Sequence, residues 1–243
     1  MTSRSTPAGI ARLGTAHGFV EQERRPILAI ETASRSCSVA LYARGRDTIP
    51  VYLTENTDHG HATMLMPMIE RAMAEAGCGY GDLDRIAVAV GPGSFTGLRV
   101  GIAAAQGLGL ASSVPVVGIS SFLTVGHVGE PERQGRRVFA LLDSRRDEPF
   151  LAELDSEFGL VGSPRFVSQE ELDDILAPAR PLILAGDAPA LGRYRFHGGI
   201  RLIQNAPSAL IVASLAADPT HRYDLPAKPV YIRPPDVTMP KPA

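Results

Sequence analysis

The stretch Ala87-Val-Ala-Val-Gly91-Pro-Gly-Ser-Phe-Thr-Gly97-Leu-Arg-Val-Gly101 constrains this chain more than any other. An apolar run ends in a glycine-rich turn, and the turn opens into a long segment of small, helix-forming residues. In a strand, Gly-rich loop and helix N-terminus, backbone N–H groups can converge on a phosphate or another anion. Gly91, Gly93 and Gly97 give G-x-G-x-x-x-G, one residue longer than the dinucleotide fingerprint, and no Lys follows as a Walker loop requires. An anion or nucleotide loop here would use Gly91, Gly93, Ser94, Thr96 and Gly97, with Glu31 from an earlier strand beside it. The competing reading is a tight turn that needs glycine only for its backbone geometry.

A chain of 243 residues can hold one large or two modest domains. At 44% hydrophobic and 21% charged it is an ordinary globular sequence, and a net charge of −2 argues against binding nucleic acid through an overall field. Lys228 and Lys241, both near the end of the sequence, are the only lysines, so no core lysine is available for P-loop or Schiff-base chemistry. Cys37 and Cys78 lie far apart without a C-x-x-C, which indicates neither zinc nor a disulfide framework, and a reducing cytoplasm is the expected compartment. Residues 1–25 lack a signal-peptide core and read as a disordered extension or a misassigned start.

Along the chain, Ile27–Glu31, 37–42 and 48–53 read as three strands of an antiparallel meander. A helix over His61–Ala76, closed by Gly77, has its apolar residues at three-to-four spacing, and Pro67 should kink or interrupt it. From Val100 to Gly129 there is no Asp, Glu, Lys or Arg, yet Pro115, Gln106 and the repeated glycines speak against a membrane span. A buried helix to Ser112 and a parallel strand at 114–119 fit better. Gly97, Gly101, Ala105 and Gly109 recur every fourth residue, leaving a nearly bare face that lets another element approach closely. That element can belong to the same domain or to a partner. After a break at 129–136, strands are expected at 138–142, Phe150–Leu154, 165–167, 182–185 and 200–203, with helices at Gln169–Leu176 and 207–217. Strands then helix, strand and helix, occurring twice, suggest two related α/β halves, the second abbreviated. The Pro-rich tail after His221 should run extended over the surface.

Catalytic patterns are few. His59 and His61 form H-x-H without further ligands at zinc spacing, there is no H-E-x-x-H, and no Ser sits in G-x-S-x-G.

The segment Ile27-Leu-Ala-Ile-Glu-Thr-Ala-Ser-Arg-Ser-Cys-Ser-Val-Ala-Leu41 resembles the opening of the TsaB (YeaZ) family, which usually has Asp at the position of Glu31. His61 with Met64-Leu-Met-Pro-Met-Ile69 is similar to its first-helix motif. Gly91-Pro-Gly-Ser-Phe-Thr-Gly-Leu-Arg99 and Pro115-Val-Val-Gly-Ile-Ser-Ser121 are similar to its signature. Asp143-Ser-Arg-Arg-Asp-Glu-Pro-Phe150 resembles a weaker motif, with Asp147 in place of Gly and Pro149 in place of a β-branched residue.

The resemblance implies an α/β fold of the actin-like, ribonuclease-H-like superfamily with two duplicated domains, at 26–125 and 126–222, followed by an extended tail at 223–243. It further implies a cytoplasmic accessory subunit, not an enzyme on its own and with no required cofactor, weak nucleotide binding being the most its loop would offer. Its partner would be TsaD, which with TsaE carries threonylcarbamoyl from an adenylate made by TsaC onto the adenosine beside the anticodon of tRNA. No membrane partner is implied. In TsaD the strand after the loop is followed by two metal-holding histidines, where this chain has Ser121 and Val125. The family's subunit interface maps here onto Met64, Leu65, Met68, Ile69 and Met73 of one helix and Gly97, Gly101, Ala105 and Gly109 of the next, a surface that would also support a homodimer. The alternative reading is an autonomous nucleotide-hydrolysing or phosphotransfer enzyme using Glu31 and the Gly91–Gly97 loop.

Overall fold

The computed structural model describes residues 25–44, 50–57, 60–127, 133, 135–177, 182–193, 195–196, 200–220 and 222–232. Residues 1–24, His59, most of the 129–136 break and the end of the tail, on which several expectations fall, lie outside the described residues.

Two five-stranded sheets share one topology. The first contains β1 (Ile27–Glu31), β2 (Ser36–Tyr42), β3 (Val51–Asn56), β4 (Arg85–Gly91) and β5 (Val116–Ser120), in the order β3-β2-β1-β4-β5. The second contains β6 (Arg137–Leu142), β7 (Phe150–Leu154), β8 (Leu160–Phe166), β9 (Leu182–Gly186) and β10 (Ile200–Gln204), in the order β8-β7-β6-β9-β10. In each, the first three strands pair antiparallel and the last two add parallel to the first. The interior strands β1 and β9 are buried along their whole length, which is why they read as near-continuous apolar runs rather than alternating ones.

The helices follow the same duplication at different lengths. α1 (His61–Ala76) and α2 (Phe95–Ser112) cover the first sheet; α4 (Gln169–Leu176) and α5 (Ala188–Leu191) hold the corresponding places on the second and are much shorter. α1 starts after Gly60 and ends at Gly77, both with positive φ, and continues through Pro67. The carbonyl that Pro67 cannot serve belongs to exposed Thr63, so water can take the missing bond.

Two further helices among the described residues cross over between the halves. α3 (Ser121–Gly126) packs on β6 and β9, and α6 (Ala209–Ala216) packs on β1, β2 and β4. The first amide of α6 donates to Ser38 Oγ of β2 at 3.0 Å, and Asn205 Nδ2 donates to the Val125 carbonyl at 2.7 Å. One apolar cluster therefore runs through both halves, with a smaller one under α4 and α5. The sheets divide between 120 and 137, but the packing does not divide at 125/126.

Three expectations shift. β3 lies at 51–56 rather than 48–53, because its register is set against β2, with Val51 opposite Leu41 and Asn56 opposite Ser36. β8 begins at Leu160, well before 165; its exposed residues with Gly162 and Pro164 look like a loop, and an edge strand tolerates both. The tail does not simply lie over the surface. Leu225 bridges antiparallel to Gly118, with N–H···O distances of 2.7 and 2.9 Å. Gln106 Nε2 reaches the Ala227 carbonyl at 2.8 Å, and the Val230 amide donates to Val90 O at 2.8 Å. A Cβ on Gly118 would come within 2.7 Å of Pro226 O, and one on Gly91 within 2.8 Å of Val230 O. Both glycines are thus required by the returning tail.

Candidate functional site

The glycine loop docks on the turn between β1 and β2. A Cβ on Gly93 would lie 2.4 Å from Ala33 O, and one on Gly97 would lie 1.9 Å from Thr32 O. The Ser94 amide donates to Ala33 O at 2.7 Å, the Gly97 amide to Ser94 Oγ at 3.2 Å, and Thr32 Oγ1 donates to Gly97 O at 2.8 Å. Two amides that a phosphate cradle would use are already engaged. Gly91, with φ of 108°, turns the chain at the end of β4 ahead of a cis Gly91–Pro92 bond. Thr96 alone of the candidate loop residues faces solvent.

Glu31 is wholly buried and folds back on its own turn. Its Oε1 accepts the Ala33 amide at 2.7 Å and its Oε2 accepts Ser34 Oγ at 2.6 Å. Burial pushes its pKa up to about 7, against the opposing pull of those bonds and of Arg145. The structure brings Glu31 and the loop together, as two sides of one packed corner rather than as walls of an open anion site.

The hairpin turns of the two halves face each other across a seam. Arg35 reaches Asp143 at 3.2 Å, Arg193 reaches the same carboxylate at 3.1 Å, and Arg145 Nη2 donates to Ser34 O at 2.9 Å. The Asp143 amide donates to Asp187 at 3.0 Å, and Asp187 caps α5 through the Ala190 amide at 2.9 Å. Desolvation raises the pKa of Asp187, with the neighbouring Asp143 adding to it and the two amide bonds opposing. The space left in the seam is only 20 Å³, enough for one water, and Ser121 Oγ has no hydrogen-bond partner there among the described residues. Arg35, Arg145, Arg193 and Asp187 were not singled out from sequence. Asp143 follows β6 as Glu31 ends β1, so the duplication itself was the signal that could have found the seam.

Beside the seam opens a cleft of 350 Å³ between the glycine loop, the turn after β6 and the tail. Tyr231 of the tail packs on Phe95 with ring centroids 5.3 Å apart, and Arg99 lies 3.8 Å over the Phe95 ring while donating to the Tyr231 hydroxyl at 3.3 Å.

Of the nine residues expected at a partner surface, eight are buried within the chain and Met64 is half-buried. Leu65, Met68, Ile69 and Met73 are core, and Met64 is half-buried against it. Gly97, Gly101, Ala105 and Gly109 are buried, and the glycines lie on the chain's own first sheet: a Cβ on Gly101 would meet Thr32 Oγ1 at 2.3 Å, and one on Gly109 would meet Val116 Cγ2 at 2.3 Å. The physical reason is that β4, β5 and the β1–β2 turn need α2 at backbone distance, so the bare face is used up within the subunit. The outward faces are different residues: Met66, 37% exposed, on α1 and Leu110, 87% exposed, on α2, with Ala103, Gly107 and Ala111 also exposed.

Ser121 and Val125 lie one turn apart on α3, both buried. Neither side chain offers an imidazole or carboxylate, and no group of three or more His, Cys, Asp or Glu fit to hold a metal occurs among the described residues. The residues present at these two positions do not fit a metal site. Neither Cys37 nor Cys78 is in a disulfide, and no helix among the described residues is long and apolar enough to cross a membrane.

Two sheets of identical mixed topology, joined at a seam between their hairpin turns, define a protein of the actin-like α/β class. The family model for TsaD, tRNA N6-adenosine threonylcarbamoyltransferase, matches residues 53–180. The tRNA threonylcarbamoyladenosine biosynthesis proteins TsaB of Haemophilus influenzae and Escherichia coli K12 are 35% and 37% identical over 131 and 127 residues. The matches cover 54% and 52% of this chain and 54% of each relative, so the chain spans about half the length of these two relatives. The structure described as YeaZ from Pseudomonas aeruginosa superposes with a TM-score of 0.65 at 30% identity, over 85% of this chain and 99% of that one. The chain belongs to the TsaB/YeaZ family.

Proposed function

We propose that this chain serves tRNA threonylcarbamoyladenosine biosynthesis as an accessory subunit, binding TsaD and supporting the transfer that TsaD performs. The names of its relatives, tRNA threonylcarbamoyladenosine biosynthesis proteins, support the pathway. The observation that carries the mode of action is the outward face of α1 and α2. Leu110, 87% exposed, stands on α2 among the exposed small residues Ala103, Gly107 and Ala111, beside the helix that exposes Met66. Small residues around a projecting leucine let a second helix pair come close and receive it. The TsaD model matches a span of this chain that includes both helices, so TsaD offers like helices and a pseudo-twofold pairing. A second copy can use the same face when TsaD is absent. TsaE and tRNA join through the assembled complex, and TsaC supplies the activated threonylcarbamoyl group.

Covering Leu110 contributes about 1.5–3 kcal/mol to association. Leu110→Asp therefore weakens co-purification with TsaD by at least about tenfold, while the isolated chain melts as before because the site is solvent-exposed. Undiminished binding would falsify this interface. Depletion of the protein followed by nucleoside analysis of bulk tRNA tests the pathway independently, and unchanged threonylcarbamoyladenosine refutes it. The autonomous nucleotide-hydrolysing reading draws no support from Glu31, whose two oxygens are bound within its own turn.

A further inference from the structure

The turn between β7 and β8, residues 155–159, lies at the end of the second sheet away from the seam. Leu154 pairs with Val138 at the start of β6, whereas Phe150 pairs with Leu142 at its seam end. Asp155 shapes the turn, its Oδ1 accepting the amides of Glu157 and Gly159 at 2.8 and 2.7 Å. Within it Phe158 has a φ of 61°. A bulky aromatic residue in left-handed backbone is an outlier that costs stability, so its ring contacts must offset the strain.

Those contacts come from both halves of the molecule. The guanidinium of Arg133, on the segment joining α3 to β6, lies 4.0 Å over the Phe158 ring, and its Nη2 donates to Asp155 O. His127, just past α3, stacks on the same ring with centroids 5.1 Å apart, and Tyr223 meets it edge-on at 6.5 Å. The Tyr223 hydroxyl donates to Glu157 O at 3.3 Å, and Arg222 pairs with Glu157 and, at 3.1 Å, with Asp218. Asp218 follows α6, which packs on β1, β2 and β4. The turn thus ties the second sheet to the stretch that returns from the first.

The fastening is weak for its position. Arg133 is 4% exposed, yet its Nη1 has no hydrogen-bond partner among the described residues. Residues 155–157 are exposed, Phe158 is half-buried, and an exposed ion pair such as Arg222–Glu157 adds little. Strained backbone and an unsatisfied buried nitrogen set against a few ring contacts give a segment with a low opening free energy.

We propose that the 155–159 turn is a latch between the halves. Closed, Phe158 covers Arg133 and holds the joining segment against the start of the tail. Open, it lifts from both while the two sheets, α3, α6 and the seam stay in place. The latch shares no residue with the outward face of α1 and α2, so its test does not depend on the partner role.

The test is limited trypsin digestion of the full chain under native conditions, with cleavage sites read by mass spectrometry. Trypsin must take the arginine side chain into its own pocket, so cleavage after buried Arg133 reports opening, and cleavage after exposed Arg44 serves as the internal reference. Phe158→Ala keeps the positive φ without the ring, and Phe158→Gly removes both ring and strain. Each raises cleavage after Arg133 relative to Arg44 at least about tenfold, and Phe158→Gly melts at a higher temperature than Phe158→Ala. Arg35→Ala, at the seam, leaves the ratio within about twofold. In the unaltered protein, the amides of Gly159 and Arg136, the second bonded to Arg133 O at 2.7 Å, exchange together and faster than those of β6. An unchanged cleavage ratio in both Phe158 variants overturns the proposal. So does an equal rise with Arg35→Ala, or exchange of Gly159 and Arg136 only at the rate of the β6 amides, which would mean that the turn opens only when the whole chain unfolds.

Discussion

Gly97→Ala and Gly107→Ala place the same methyl group on the same helix and should act in opposite directions. At Gly107 an added Cβ meets nothing within 4 Å, so the change only replaces a flexible residue by the best helix former. That stabilises by about 0.5–1 kcal/mol. At Gly97 the new carbon lies 1.9 Å from the Thr32 carbonyl oxygen, whereas real Cβ contacts essentially never fall below 3.0 Å. The obstacle is backbone, held by the Thr32 Oγ1 bond to Gly97 O at 2.8 Å, so no side-chain rotation relieves it. Overpacking of this kind costs about 1–3 kcal/mol, and loss of the buried hydrogen bond adds roughly 1 kcal/mol, against a small gain in helix propensity. A net loss of about 2–3 kcal/mol follows. At about 2–4 °C per kcal/mol for a chain of this size, Gly107→Ala raises the melting temperature by about 1–4 °C and Gly97→Ala lowers it by about 4–12 °C. Urea unfolding of the isolated protein gives the free energies directly. If Gly97→Ala is neutral or stabilising, the row of small residues does not pack on its own sheet and is free to face a partner.

Two further perturbations address the corner and the tail. Glu31 titrates near 4.5 when unfolded and about 7 when folded, so its contribution to stability is fully present below pH 4.5 and is lost as pH rises toward 7. The change amounts to about 3 kcal/mol, and Glu31→Gln, which keeps the acceptor for the Ala33 amide, should remove that slope; parallel pH–stability curves for the two proteins would show that the carboxyl is solvated. Deleting residues 224–243 removes the four tail bonds to Gly118, Gln106 and Val90, a loss of about 2–4 kcal/mol at ordinary net values. Hydrogen exchange should then quicken at the Gly118 amide, whose carbonyl partner on Leu225 is gone; unchanged protection there would mean that the tail is not closed in solution.

Much of this protein is determined locally, by sequence. Unbroken apolar runs at 27–30 and 86–90, the spacing of Leu65, Ile69, Ala72 and Met73, and the glycines closing α1 specify strands and helix from neighbouring residues alone. The repeat of strand and helix order gave the two halves, since burial and periodicity recur in both. The family motif was equally legible, because it is carried by contiguous residues. What neighbours cannot specify is which way a face points. The same four-residue spacing of Gly97, Gly101, Ala105 and Gly109 suits a partner helix or the molecule's own sheet, and only the position of Thr32 and Val116 decides for the sheet. Gly91 and Gly118 answer to a tail more than a hundred residues away in sequence. The seam depends on Arg35 meeting Asp143 from the other half, a pairing that exists only once both hairpins are in place. Sequence settled the elements and the family, because those follow from local pattern. Tertiary structure decided that the glycine loop is a packed corner, that Leu110 and Met66 form the outward face, and that a cleft lies between the two halves, because each depends on residues distant along the chain coming within contact distance.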